Sequence, residues 1–363
     1  MSVLQRHPRL RWLVPLVALA LVLGGPAGLQ RIAQADPGLP PRTAQQLLTD
    51  LIQAKPQPLS GTVQQEMNLG LPALPSLGQG GPHGQDISLM GLLLGNHTWR
   101  VWTNAQDSFR VAKVNGSEEL NIIHNPDQTW IWNSSTREAV KAVHDGKDRS
   151  KKPGPTPTPT TTPGDLAKKL LEAVDPSTAV SVDSNTTVAG RAAYQLVLTP
   201  KSGATKVGQI RIAVDGDNLT PLRVAVTARG ASSPAIQVAF STITFGTPDP
   251  TNFQFTPPSD AKVVDAKQKM PVATTKPSTT TGEPSHKVVG EGWAQVHVVS
   301  GLGQVDTSKT PELEQLLGQF PTVSGAWGQG RLVETALFSA VLTKDGRLAI
   351  GAVQPTLLYA ALG

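Results

Sequence analysis

Between Val188 and Asp265 the large apolar residues keep to alternate positions through one segment after another, and few folds accommodate that pattern. Tyr194, Leu196 and Leu198 come first, then Ile210, Ile212 and Val214, then Leu222, Val224 and Val226, then Ile236, Val238 and Phe240. Successive side chains on a strand point to opposite faces. A period of two therefore gives each strand one apolar and one polar face, as in antiparallel sheets wetted on one side. The stretch reads as the strands Ala193–Thr199, Val207–Asp215, Leu222–Arg229, Ile236–Phe245 and Asn252–Thr256, punctuated by Gly, Pro, Asn and Asp. Ile243 and Phe245 sit on the opposite parity from Phe240, which predicts a bulge between them that keeps both sets inward and bends the sheet. The connections are short enough for hairpins, so consecutive strands should be neighbours.

The chain of 363 residues is long enough for two or three domains and has no cysteine, which excludes disulfides and thiolate chemistry. Its 32 basic and 27 acidic residues are unevenly placed, because Arg6, Arg9, Arg11 and Arg31 all precede the first acid, Asp36. Beyond that point the charges nearly balance, which argues against nucleic acid as a partner. The basic start leads into the apolar run Leu13–Leu23, a Gly24-Gly25-Pro26 break, and Ala33-Gln34-Ala35 just before Asp36. Residues 1–35 thus read as a signal peptide or an uncleaved N-terminal anchor, the apolar run being short for a membrane span. The expectation is an exported, extracytoplasmic protein of the cell envelope or medium, with peripheral contact to the cytoplasmic membrane or an anchor in residues 13–30.

Thr43 is placed to cap a helix reaching Ala54, with Leu47, Leu48, Leu51 and Ile52 on one face. Ser60–Leu69 reads as a strand, and its Gln64-Gln65-Glu66 makes it an edge candidate. A Gly/Pro-rich loop over 70–84 precedes the apolar run Ile87–Leu94, and further strands follow at His97–Thr103, Ser108–Val114, Leu120–His124, Thr129–Asn133 and Glu138–His144. Residues 145–163, charged and then alternating Pro and Thr, form a disordered insert. A second helix, Gly164–Val174, carries Leu166, Leu170, Leu171 and Val174 at helical spacing. Helix, strand block, helix, strand block suits an α+β fold, a broad antiparallel sheet with two helices on its apolar face. Residues 267–287 read as a linker. Residues 288–363 read as a small C-terminal αβ module with strands Gly292–Val299, Leu332–Thr343 and Leu348–Val353, a helix Pro311–Phe320 and a final helix from Pro355. So few residues make a marginal domain, which should dock on the main body or extend its edge.

A family resemblance rests on residues in collinear order. They are Leu59-Ser60-Gly61-Thr62-Val63 after a helix, Thr129-Trp130-Ile131-Trp132-Asn133, Tyr194-Gln195-Leu196-Val197-Leu198-Thr199-Pro200-Lys201, and Asn252-Phe253-Gln254-Phe255-Thr256-Pro257-Pro258 leading to Val263-Val264-Asp265. Over 43–266 the chain resembles the lipoprotein carrier LolA and the related N-terminal domain of the sigma-factor regulator RseB. The resemblance implies a curved, unclosed antiparallel half-barrel over 36–266 with helices on its concave face. It also implies a hollow that receives acyl chains of a lipid or lipoprotein, and no catalysis. The Gly/Pro loop, the Pro/Thr insert and the tail beyond 288 depart from the simple carrier, and a second domain of that kind belongs to RseB-like regulators, which bind a membrane regulatory protein.

An apolar inner face larger than two short helices can cover must meet a ligand, a partner or a lid. The candidate lining residues are Leu92, Leu93, Trp99, Val101, Trp130 and Trp132 on the strands, with Leu47, Leu51, Leu170 and Leu171 on the helices. Apolar faces are core by default, so the same residues also read as plain core, and the tryptophans as rim residues with their N–H in water. No metal or cofactor is expected: the histidines show no paired spacing, and Asp215-Gly216-Asp217-Asn218 lacks the glycine and closing glutamate of a calcium loop. No GxSxG, SxxK or phosphate-binding loop occurs. The reading is a non-enzymatic lipid- or lipoprotein-binding protein, with a regulator that binds an anti-sigma factor or other membrane protein as the alternative, and an uncharacterised hydrolase as a distant third.

Overall fold

The computed structural model describes residues 38–71, 95–115, 118–144, 177–266, 285–301 and 317–363. Residues 1–35, Leu92, Leu93, Leu170, Leu171, the Pro/Thr insert and most of the Pro311–Phe320 segment lie outside the described residues.

A single sheet takes up twelve strands: β1 Leu59–Met67, β2 His97–Thr103, β3 Phe109–Asn115, β4 Glu118–His124, β5 Gln128–Asn133, β6 Glu138–Val143, β7 Thr178–Val188, β8 Arg191–Pro200, β9 Val207–Asp215, β10 Pro221–Ala228, β11 Pro234–Phe245 and β12 Lys262–Asp265. Their order across the sheet is β12-β6-β5-β4-β3-β2-β1-β11-β10-β9-β8-β7. Both runs of consecutive strands are antiparallel meanders, as hairpin connections require. The seam between them is β1 against β11, where Leu59 faces Phe245 and Met67 faces Ile236. Strand β1 is therefore central, and the edge expected from Gln64-Gln65-Glu66 is wrong. Gln65 is fully buried and donates to the Gly95 carbonyl at 3.3 Å, while Glu66 on the opposite face accepts from Gln237 at 3.3 Å.

The parity switch in β11 is a bulge. Thr62 faces Thr242 and Val63 faces Phe240, so Ser241 is the extra residue, exposed, while Phe240, Ile243 and Phe245 all turn towards the core. Bulging raises local twist, and the sheet curls on itself. Strand β7, at the far end of the order, approaches β11, and the Arg191 guanidinium stands 4.8 Å from the centre of the Phe245 ring. The two ends do not pair, so the result is the curved, unclosed antiparallel half-barrel of an α+β fold. At the seam, a Cβ on Gly61 would lie 2.5 Å from the Thr242 carbonyl oxygen and 3.0 Å from the Phe240 ring, so the crossing needs glycine.

Helix α1, Ala44–Gln53, closes over the concave side. Thr43 caps it by a reciprocal pair, its hydroxyl accepting from Gln46 N while Gln46 accepts from Thr43 N. Leu47 and Leu51 enter the same core as Tyr194, Leu196, Ile210, Ile212, Val224 and Val238. Tyr194 donates its hydroxyl to the Pro40 carbonyl at 2.9 Å, fixing the chain that enters the helix.

Two strand readings need correction. Strand β7 escaped because Thr, Ser, Asp and Asn fill an edge that buries little on either side. Asn252–Thr256 is not a strand: Asp249 caps a single 3-10 turn at Pro250–Phe253, and the chain then runs across the convex face to β12, which lies parallel to β6. There Phe255 and Ala261 cover a satellite cluster of Ile123, Trp130, Trp132 and Ala139. Phe255 meets both indoles edge-on or tilted, 5.5 and 6.0 Å between centres. The Asn125 amide donates to the Phe253 carbonyl at 3.0 Å, and Arg137 pairs with Asp260.

A second sheet holds β13 Ser285–Val289, β14 Val296–Ser300, β15 Thr322–Gly325, β16 Gly328–Glu334, β17 Ser339–Thr343 and β18 Leu348–Gly351, in the order β13-β14-β18-β17-β16-β15. It begins at Ser285, inside the span read as linker, and the strand read as Leu332–Thr343 is two strands broken at Thr335–Phe338. Helix α2, Pro355–Leu362, begins at the expected proline and packs Leu358 and Leu362 with Val296, Val341 and Val353. The module docks at one end of the half-barrel: Thr205 Oγ1 and Lys206 N both donate to the Ala352 carbonyl, at 2.7 and 2.8 Å. Lys206 pairs with Glu334 at 2.8 Å, Ala336 N donates to the Leu69 carbonyl at 2.8 Å, and Leu337 is buried in the half-barrel core.

Candidate functional site

Directly paired residues of antiparallel strands share a face, so the register assigns each side chain to the hollow or to the outside. One inner row runs across the strands from Val101 through Val111, Ile122 and Ile131 to Val140. Val264 continues it on β12. Burial fades along this row: Val101, Val111 and Ile122 are buried, while Ile131, Val140 and Val264 are half-buried. Helix α1 stands at the other side of the hollow, near β7. Among the described residues, the concave face is thus sealed towards β7–β11 and less covered towards β6 and β12.

Leu47, Leu51, Trp99 and Val101 meet in one core. Trp130 and Trp132 do not join them. Trp130 pairs with Ile123 and Lys141, and Trp132 with Asn121 and Ala139, all on the row set that points outward. The spacing of two shows that the pair shares a face and is silent on which face, and Phe255 supplies the cover that makes it the outer one.

The neighbouring inner row is less apolar than its sequence surroundings suggest. Trp99 pairs with Val63 on one side and Lys113 on the other, and Lys113 pairs with Leu120. Trp99 is 4 % exposed, and its indole Nε1–H has no hydrogen-bond partner among the described residues. Lys113 is half-buried, and burial pushes its pKa below the ordinary lysine value, with exposed Glu118 pulling the other way. Sequence reasoning passed over Lys113 because a lone lysine in a strand marks nothing until the β2–β3 register places it opposite an indole.

A third inner row ends in a relay at the rim. Thr129 Oγ1 lies 2.7 Å from His124 Nδ1 and 2.8 Å from His144 Nε2, and His124 stacks on Phe109 with ring centres 5.0 Å apart. A hydroxyl has one proton to donate, so one imidazole accepts it and the other donates to the oxygen. Burial first, and then His144, hold His124 below its ordinary pKa, with Asp107 opposing them.

No protein-family model and no curated protein matches the sequence. Comparison with solved structures finds similarity to MucB in complex with MucA(peri), with 14% identity, a TM-score of 0.43, and coverage of 88% of this chain and 97% of that one. A chain of the Pseudomonas aeruginosa MucA/MucB complex is similar at 15% identity and TM-score 0.42, covering 88% of this chain and 96% of that one. A LolA superfamily protein from Nitrosomonas europaea is similar at 11% identity and TM-score 0.23 over 59% of this chain and 99% of that one. The architecture described above is an unclosed antiparallel sheet around a capped helix with a small second sheet.

Proposed function

We propose that this chain is a non-catalytic, extracytoplasmic carrier that receives acyl chains of a lipid or lipoprotein on the concave face of its half-barrel. The observation that supports the reading is the inner row Val101, Val111, Ile122, Ile131 and Val140, apolar throughout and less covered towards β6. Each methylene laid there returns about 0.8 kcal/mol, so a long chain gains enough to offset the freedom it loses on binding. Leu47, Leu51, Trp99 and Val101 keep their proposed lining role, as do Leu92, Leu93, Leu170 and Leu171. For Trp130 and Trp132 we propose a structural role in the outer cluster instead. Export through residues 1–35 belongs to the same proposal, and among the described residues no helix is long and apolar enough to cross a membrane.

The test is to purify the protein from its own host, extract it with organic solvent and identify what co-purifies, and then to titrate it with a peptide in acylated and unacylated form. Stoichiometric acyl material and binding of the acylated peptide alone are expected. Ile131→Asp, which places a carboxylate in the half-covered part of the row, should reduce binding by about tenfold or more, since a charge there must be desolvated. Clean extracts combined with failure to bind either peptide would end the carrier reading.

One observation favours a second reading, a regulator that binds a membrane protein. The C-terminal module is joined to the half-barrel by buried polar contacts at Thr205, Lys206 and Leu69, which holds two surfaces together as a single binding platform. Capture of one defined membrane protein by wild type and by Ile131→Asp alike would support it over the carrier.

A further inference from the structure

The half-barrel hides a donor where an apolar lining needs none. Among the described residues Trp99 Nε1–H is buried without an acceptor, an arrangement that costs about 1–3 kcal/mol and that folded proteins seldom leave uncorrected. Directly opposite on the neighbouring strand, on the same inner face, is Lys113, a half-buried residue without an ion pair among the described residues. A buried N–H donor and a half-buried lysine paired across two strands on one face, with exposed Glu118 as the lysine's nearest opposing charge, leave room for an oxygen acceptor between them. Trp130 also buries an Nε1–H without a partner among the described residues, but it is covered by Phe255 on the outer face, whereas Trp99 lies on the inner face.

Two residues along their strands from Trp99 and Lys113 stand Val101 and Val111, the start of the apolar row. That step is about 6.6 Å, and the row then extends across the strands at about 4.8 Å each. Polar donors at one end and an apolar track leading away from them match the plan of small-molecule sites, in which a few fixed polar groups orient a largely apolar guest.

We propose that Trp99 Nε1–H and Lys113 Nζ are the head-recognition pair of the acyl site, taking the carboxylate or ester carbonyl oxygen of an acyl group whose methylenes lie along Val101, Val111, Ile122 and Ile131. This inference rests on the reading of the concave face as an acyl site. It adds the direction in which the chain lies, and it makes the acyl oxygen, not the hydrocarbon alone, the selected feature. A free fatty acid and an esterified chain offer the same oxygen and differ in charge, so the two donors divide the work. The indole serves both heads, and the ammonium prefers the carboxylate.

The experiment compares hexadecanoate, methyl hexadecanoate and hexadecane, each delivered from cyclodextrin and titrated calorimetrically into the full chain. Wild type should rank them in that order, with about tenfold between the first and last, as one charge-assisted hydrogen bond allows. Lys113→Met should remove the preference for carboxylate over ester and leave hexadecane within about twofold. Trp99→Phe should weaken carboxylate and ester together by about fivefold and hexadecane by less, so that the preference for an oxygen-bearing head falls, while the variants' circular dichroism reports that the fold is intact. Equal affinity of wild type for all three ligands, or unchanged ranking in both variants, overturns the head-recognition pair while leaving the carrier reading in place. Failure of wild type to bind any of the three overturns both.

Discussion

Replacing Gly61 by alanine tests how tightly the two halves of the sheet are joined. The new methyl would sit 2.5 Å from the Thr242 carbonyl oxygen, about 0.9 Å inside ordinary contact, and 3.0 Å from two atoms of the Phe240 ring. The ring can turn a little, but the carbonyl belongs to the ladder beside the Ser241 bulge, where Thr62 faces Thr242 and Val63 faces Phe240. Relief therefore requires backbone movement of β11. Overpacking costs about 1–3 kcal/mol and one ladder hydrogen bond lost about 0.5–1.5 kcal/mol, against a gain of about 0.4–1 kcal/mol from restricting the unfolded chain, for a net loss of about 0.5–4 kcal/mol, centred near 2 kcal/mol. Gly203→Ala is the control: a Cβ there meets nothing within 4 Å, so stability should stay level or rise by up to about 1 kcal/mol. Urea unfolding followed by tryptophan fluorescence measures both, with the midpoint moving and the slope unchanged. A Gly61→Ala protein as stable as wild type would show that the close approach of β1 and β11 is not what fixes the seam.

Leu47→Ala should cost about 2–5 kcal/mol in the same assay, since Leu47 is fully buried between α1 and the sheet, and Thr43→Ala about 1 kcal/mol through loss of the cap. Trp132→Ala should cost about 3–5 kcal/mol yet leave acyl binding unchanged, because its indole packs outside with Phe255; lost binding in a folded variant would contradict the register argument. Burial, with His144 and His286 in turn, holds His124 and His297 below the ordinary 6.5, so below that pH the unfolded chain binds more protons than the folded one. Stability from these groups should be complete above about pH 6.5 and fall as the pH drops towards their lowered values, and His124→Gln combined with His297→Gln should flatten that slope in an unfolding series.

Much of the half-barrel is written in alternation. Tyr194, Leu196 and Leu198 declare their face without help, and the offset of Ile243 from Phe240 announces the Ser241 bulge. Polarity misled where neighbours rather than solvent satisfy it: Gln64-Gln65-Glu66 reads as an edge, yet Gln65 is buried on a strand with partners on both sides. Aromatic spacing misled at Phe253 and Phe255, which alternate like strand residues, but Phe253 ends a 3-10 turn and Phe255 after it covers two tryptophans. In the candidate site, Leu47, Leu51, Trp99 and Val101 could be named from pattern alone. Trp99 with Lys113 could not, because a pair made across strands depends on register, and register is set by where the two turns fall.

The placement of β1 also bears on how the chain is made. Leu59 lies beside Phe245, and Lys262 beside Glu138, so both late joints connect stretches far apart along the polypeptide. During synthesis the first six strands are complete while β11 is still unmade, leaving a nine-residue strand border with bare amides and carbonyls at what will become the middle of the molecule. Long-range pairing of this sort is slow and prone to foreign partners. The newborn chain, rather than the finished fold, is the form most in need of a chaperone.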